Sequence, residues 1–186
     1  GEYSELSARG IREDTCRKFD YQVGDYMGRP VQIENYKNDI GEIVVQKTRD
    51  QDKNFTVLGD ALYLCLFGEH LWESGKKLVV TEGPIDAMTV SQVQNNKWPV
   101  VSVPNGAQSA KKYLLKAWDF LEAFDEIILM FDDDEAGRKA AVESAEALPI
   151  GRVKIARIPN YKDANDALMD GAEKAIIDAI WSAKVW

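Results

Sequence analysis

Carboxylates recur where apolar runs end. Thr81-Glu82-Gly83-Pro84 closes the run at 78–81, with Asp86 just beyond it. Pro104-Asn105-Gly106 follows the run at 100–103. Asp132-Asp133-Asp134-Glu135-Ala136-Gly137-Arg138 follows 127–131, and Pro159-Asn160-Tyr161-Lys162-Asp163-Ala164-Asn165-Asp166 follows 153–158. Ionised acids gathered in one cleft repel one another, and the arrangement is costly unless a cation neutralises them. Glu82, Asp132 and Asp134 therefore form a candidate site for Mg²⁺, a hard cation that takes oxygen ligands. Each motif alone has a plainer reading. A lone Asp-x-Asp is usually a solvated loop, and Glu82, Asp133 and Glu135 sit where acids favour helix N-termini. Glu-Gly at one run's end and Asp-x-Asp-x-x-Gly-Arg at another's is more specific than either part. Gly83 and Gly137 suit positions where backbone must approach a neighbour closely.

The elements that must hold these residues follow from periodicity. From residue 76 onward, short Val/Ile-rich runs alternate with longer amphipathic stretches at 84–95, 109–122 and 135–148, and a last helix is expected over 164–181 with a break near Gly171. That alternation predicts a parallel sheet of about four strands, covered by helices on both faces and joined by right-handed crossovers. In such sheets ligands bind outside the carboxyl ends of the strands, which is where the acids fall. The first 75 residues read differently: a short helix over 11–19, then extended segments at 31–36 and 42–47 joined by a turn at Asp39-Ile40-Gly41. The run at 61–67 fits helix or strand equally. The expectation is a small α+β subdomain over 1–75 followed by an α/β domain over 76–186, with the boundary at Ser74-Gly75.

Composition removes several classes. With 186 residues, 45% hydrophobic and 29% charged, the chain can bury a core and is not a disordered tail. No run approaches the roughly 20 apolar residues of a membrane span, and the first residues lack the basic-then-apolar order of a signal peptide; a membrane-free, cytoplasmic protein is expected. Cys16 and Cys65 lie far apart, in neither a disulfide framework nor a zinc motif. His70 is the single histidine, and no Gly-x-Ser-x-Gly elbow accompanies it, which argues against serine hydrolysis. A net charge of -8 argues against tight, non-specific grip on a phosphate backbone as the main task.

Val79-Val80-Thr81-Glu82-Gly83 and Leu129 through Ala141, which contains Phe131-Asp132-Asp133-Asp134 and Ala136-Gly137-Arg138-Lys139, resemble the paired motifs of the Toprim domain found in bacterial-type primases, topoisomerases and some nucleases. Within that superfamily the chain resembles the primase part of the bifunctional primase-helicases of T7-like bacteriophages. The likeness extends to Cys16-Arg17-Lys18-Phe19-Asp20-Tyr21, Val31-Gln32-Ile33, Val45-Gln46-Lys47, Asp52-Lys53-Asn54-Phe55 and Lys162-Asp163-Ala164-Asn165. It implies an α/β Toprim domain preceded by the small α+β subdomain, synthesising RNA primers on a single-stranded DNA template from ribonucleoside triphosphates. It also implies a zinc-binding domain and a hexameric helicase domain as companions in a full-length protein, so that this chain is a central fragment acting in the cytoplasm of a bacterial host.

The resemblance assigns Mg²⁺, with Mn²⁺ as a substitute, to Glu82, Asp132 and Asp134, with Asp163 a further acid of the same cleft. It points to Lys47 and Lys53 as basic residues facing the site, Lys53 as a catalytic one, with Arg49 as their neighbour. Ammonium groups there would neutralise triphosphate charge. Read without the family, Lys47-Thr48-Arg49 is a charged strand edge in solvent. Asn105, Arg138 and Lys139 complete the expected nucleotide and template contacts. Pro84 stands where the family carries an acid after Glu-Gly, which leaves Glu82 as the ligand of that motif. Two rival readings share these acids: a metal-dependent Toprim nuclease, and a catalytically silent scaffold of a replicative helicase.

Overall fold

A computed structural model describes residues 1–186. After helix α1 (Glu13–Phe19), strands β1 (Tyr21–Tyr26), β2 (Arg29–Lys37), β3 (Ile43–Asp50) and β4 (Phe55–Gly59) form an antiparallel sheet in sequence order. The β1–β2 hairpin closes through Met27 and Gly28 alone, with φ of 54° and 77°. Both are in the left-handed region that a two-residue hairpin twisting with its strands requires. The β2–β3 link is drawn tight by Asn38, whose Oδ1 accepts from the backbone N–H groups of Ile40 and Glu42.

Register decides what this sheet presents. Tyr21, Glu34, Lys47 and Val57 lie opposite one another in a row across all four strands, and Val23, Gln32, Arg49 and Phe55 form the next row on that face. Because side chains alternate with period two, a slip of one residue would turn both rows to the other side.

The second sheet holds β5 (Gly75–Thr81), β6 (Val100–Ser102), β7 (Phe124–Met130), β8 (Val153–Ile155) and β9 (Lys184–Val185), in the order β6-β5-β7-β8-β9. The first four are mutually parallel, and β9 adds an antiparallel edge, making five strands where about four were expected. Helices α2 (Pro84–Val93), α6 (Ala164–Met169) and α7 (Glu173–Trp181) pack together, while α3 (Ala110–Lys116) packs with α5 (Glu135–Ala147). Between α3 and β7 a short α4 (Trp118–Leu121) splits the helix expected over 109–122, because Ala117 leaves helical geometry at ψ 19°. Gly171, at φ 74°, separates α6 from α7. None of these helices is long and apolar enough to cross a membrane.

The run at 61–67 is neither of the two elements it fits by pattern. It is a 3₁₀ turn at Ala61–Tyr63 followed by extended chain, with Phe67 bridged to Ser102 on β6. The Phe67 ring stacks on Phe19 at 5.6 Å and meets Tyr21 and Tyr36 edge-on at 6.2 and 5.9 Å. One apolar core therefore continues from Leu6 and Ile11 through Phe67 to Ile180, without a break at residue 75. That shared core fixes the antiparallel sheet against the carboxyl edge of the parallel one.

Candidate metal and nucleotide cleft

The two sheets meet at a cleft of about 550 Å³. Glu82, Asp86, Asp132 and Asp163 line one wall; Lys47, Arg49 and Phe55 line the other, with Arg9 beside them. Each acid sits in the loop or helix start that follows a strand. Asp132 follows β7 by two residues. Asp86 is in the first turn of α2, and its Oδ1 accepts from Asn165 N–H at 3.0 Å. Asp163 caps α6, accepting from Asp166 N–H at 2.8 Å. Asn165 is itself tied down, donating to the Arg9 carbonyl at 2.9 Å and to Thr89 Oγ1 at 3.0 Å. Carboxylate oxygens of Asp86, Asp132 and Asp163 all fall within 4.8 Å of one another.

Glu82 joins from the end of β5, its Oε1 accepting from Asp132 N–H at 3.4 Å. The approach depends on Gly137. A Cβ there would lie 2.0 Å from the Asp132 carbonyl oxygen and 3.0 Å from Glu82 Oε1, so no larger residue fits. Asp134 stands at the rim as the N-cap of α5, accepting from Gly137 N–H at 2.7 Å, with Oδ2 3.6 Å from Lys162 Nζ. Lys162 also lies 4.0 Å from Asp132, and its carbonyl accepts from Asp133 N–H at 2.7 Å, which ties the two acidic loops together.

The electrostatics are those of an acid cluster short of positive charge. Burial, then repulsion from Glu82 and Asp163, pushes Asp132 up to about 7. Burial and the Asp163 charge hold Asp86 well above the usual carboxylate range, and burial raises Glu82. Lys162 is raised by Asp132 and Asp134. Oxygen donors this close, with their charged forms disfavoured, match the demands of a small divalent cation. On the opposite wall Lys47 Nζ donates to the Pro104 carbonyl at 2.5 Å and lies 4.6 Å from the centre of the Phe55 ring. Burial lowers its pKa.

Of the residues singled out in the sequence, Glu82, Asp132, Asp163, Lys47, Arg49 and Asn105 line this one cleft. Lys53 does not. It lies in the β3–β4 turn at φ 64° and lines an adjoining polar groove that shares Arg9 and Arg49 with the cleft. Arg138 and Lys139 lie on α5 outside the cleft, paired with Asp133 at 2.8 Å and Glu143 at 3.8 Å. Sequence reasoning missed Asp86 as a ligand, although its position four residues after Glu82 at the start of a helix was visible. It also gave no site role to Arg9, Asn165 and Phe55, although the last two lie in stretches that carry the family likeness; all three reach the cleft through long-range packing.

A Toprim-type sheet with its acids at the strand ends, closed by an antiparallel α+β sheet, defines the class. Residues 79–168 match the family described as Toprim-like, and residues 1–59 match the bacteriophage T7 DNA helicase/primase N-terminal a+b fold. The DNA helicase/primase of Enterobacteria phage T3 is 47% identical over the whole chain, which spans 33% of that protein's length. The primase fragment of the bacteriophage T7 primase-helicase superposes with a TM-score of 0.92 at 47% identity, covering 97% of this chain and 75% of that one. The T7 primase domains solved with the lagging-strand DNA polymerase, bound to an RNA/DNA hybrid and dTTP, give a TM-score of 0.94 at 46% identity, covering 100% of this chain and 94% of theirs. The chain belongs to the Toprim primase family, in the branch of the T7 and T3 phage primase-helicases.

Proposed function

We propose that this chain is the RNA-polymerase part of a phage primase, joining ribonucleotides into short primers on single-stranded DNA in the cytoplasm of a bacterial host. The observation that carries the reading is the convergence of three carboxylates within 4.8 Å in the same cleft as a buried lysine and two arginines. Acids alone suit many metal-dependent reactions; acids facing fixed cations suit a substrate that brings both a metal and several phosphates.

Asp86, Asp132 and Asp163, with Glu82 beside them and Asp134 at the rim, would hold Mg²⁺ or Mn²⁺. Bound there, the cation supplies activation of the attacking 3′-hydroxyl and neutralisation of charge developing on the phosphates. Lys47 and Arg49 hold the triphosphate: the ammonium as a point charge, the guanidinium by its planar donor fork. Arg9, shared by cleft and adjoining groove, lies where a strand leaving the site would pass, and Lys53 lies further along that groove. Lys162 bridges the rim acids and balances part of their charge.

At a net charge of -8, the fragment is expected to hold template weakly and in a strongly salt-dependent way. Start-site selection is assigned to a zinc-binding companion, and processive contact with the fork to a helicase companion. One assay with two substrates tests this. Given Mg²⁺ and a template, the chain should extend a preformed short RNA but start very poorly from mononucleotides. Efficient, sequence-specific starts would refute the dependence on a companion. Template cleavage in place of extension would favour the nuclease, and no chemistry with either metal would favour the silent scaffold.

A further inference from the structure

The row of side chains that carries Lys47 also carries an acid with no part in the chemistry above. Glu34 on β2 stands directly opposite Lys47 on β3, on the face turned to the cleft. Both are nearly sealed from water, at 5% and 8% exposure. Tyr36 donates to Glu34 Oε2 at 2.6 Å, which fixes the carboxylate. The close partners of Lys47 are neutral: the Pro104 carbonyl and the face of Phe55. A buried ammonium with only neutral partners loses its proton readily, and a lysine without charge has no grip on phosphate.

We propose that Glu34 is a positioning residue, the buried counter-ion across the strand pair that keeps the Lys47 ammonium charged. This rests on reading Lys47 as a phosphate-binding group. The surroundings support a pairwise role. From β1, Tyr21 donates its hydroxyl to Gln32 at 2.6 Å. From β3, Arg49 acts on Lys47 with like charge and attracts Glu34 less strongly than Lys47 does, and from β4 comes the uncharged Phe55. Arg9 adds positive charge at the cleft, and the acids Glu82, Asp86, Asp132 and Asp163 line its opposite wall. Burial pushes Glu34 up and Lys47 down, and their mutual attraction opposes both shifts.

Glu34→Gln is the informative change, because it keeps size and an acceptor for Tyr36 and removes only charge. In the metal-free chain, isotope-edited NMR of the lysine ε-carbons, with Lys47 assigned by its loss in Lys47→Met, reads the ammonium directly. The proposal expects Lys47 to deprotonate at lower pH in Glu34→Gln than in the parent. It also expects the alkaline limb of the primer-extension pH profile to move to lower pH, a change that a purely structural role would not cause. Coupling is reciprocal, so Lys47→Met must raise the pH at which the Glu34 carboxyl titrates. That arm decides the matter if Glu34→Gln fails to fold. Unchanged titration of Lys47 in Glu34→Gln, or of Glu34 in Lys47→Met, overturns the proposal. Wild-type extension by Lys47→Met would instead remove the phosphate reading of Lys47, and the NMR result distinguishes the two failures.

Discussion

The acidic wall and the basic wall of the cleft face each other but are built by opposite means. On the parallel sheet, each acid sits in a loop or first helical turn that follows a strand, and Glu82, Asp86 and Asp163 each accept from a backbone N–H. On the antiparallel sheet, Lys47 and Arg49 are interior residues of β3, and only pairing with β2 and β4 turns them to the cleft. The acidic wall depends on turns at one sheet edge, tied to one another by the bonds from Asp132 to Glu82 and from Asn165 to Asp86, whereas the basic wall depends on register across four strands. Their failure modes should differ accordingly: a change at the acids acts on chemistry with the fold intact, and a change at the bases acts on substrate handling.

The largest effect should come from the acids themselves. Asp132→Asn, and separately Asp86→Asn, should lower nucleotide addition on the order of a thousandfold or more while circular dichroism shows an intact fold. Equal loss of fold and activity would erase the distinction drawn between the walls. Next comes Gly137→Ala, whose methyl would collide with the Asp132 carbonyl. It should cost about 3 kcal/mol or more in urea unfolding and also cripple extension, since the loop that must move carries a ligand. Lys47→Met should reduce nucleotide incorporation by roughly ten- to a hundredfold with metal affinity nearly unchanged. A matching fall in metal affinity would show that the walls do not divide the work.

A smaller effect separates the walls by pH. Asp132 is raised in the folded chain to about 7, so the folded state holds a proton that the unfolded state has already released. Its contribution to stability is fully present below the unfolded value near 3.8 and is lost as pH rises through 7. In EDTA, the parent should therefore lose about 3 kcal/mol more than Asp132→Asn between pH 4 and 7, and Mg²⁺ should shrink that difference. Chemical denaturation at a series of pH values measures it. The smallest effect belongs to Lys53→Ala, outside the cleft on an exposed turn. It should raise the KM for nucleotide or template about two- to fivefold and leave metal binding untouched.

The same contrast explains what the sequence made legible. Glu82, Asp132 and Asp134 could be read because a strand followed by an acid-bearing turn is a local pattern, and parallel topology alone gathers such turns on one edge; Asp163 is pointed to as a site acid by the family resemblance. Lys47 and Arg49 could not be read from their own neighbourhood. There they look like a solvated strand edge, whereas β3 is interior and Lys47 is buried. Strand β1, with Gly24 and Asp25 inside it, and β4, whose apolar residues fall on both faces, lack a clear apolar–polar alternation in residue type, and β9 is two residues long. The segment at 61–67 takes its form from Phe67 docking between the sheets, a tertiary contact that no periodicity encodes.

The claim that the two walls meet over one metal–nucleotide pair is tested most directly by titrating Mn²⁺ into the chain with and without a non-hydrolysable ribonucleoside triphosphate, reading free Mn²⁺ by paramagnetic resonance. Triphosphate should tighten Mn²⁺ binding in the parent. The tightening should disappear in Lys47→Met, with nucleotide-free binding kept, and Asp132→Asn should lose both. Mn²⁺ binding that is unaffected by triphosphate in the parent, or retained in full by Asp132→Asn, would contradict the account.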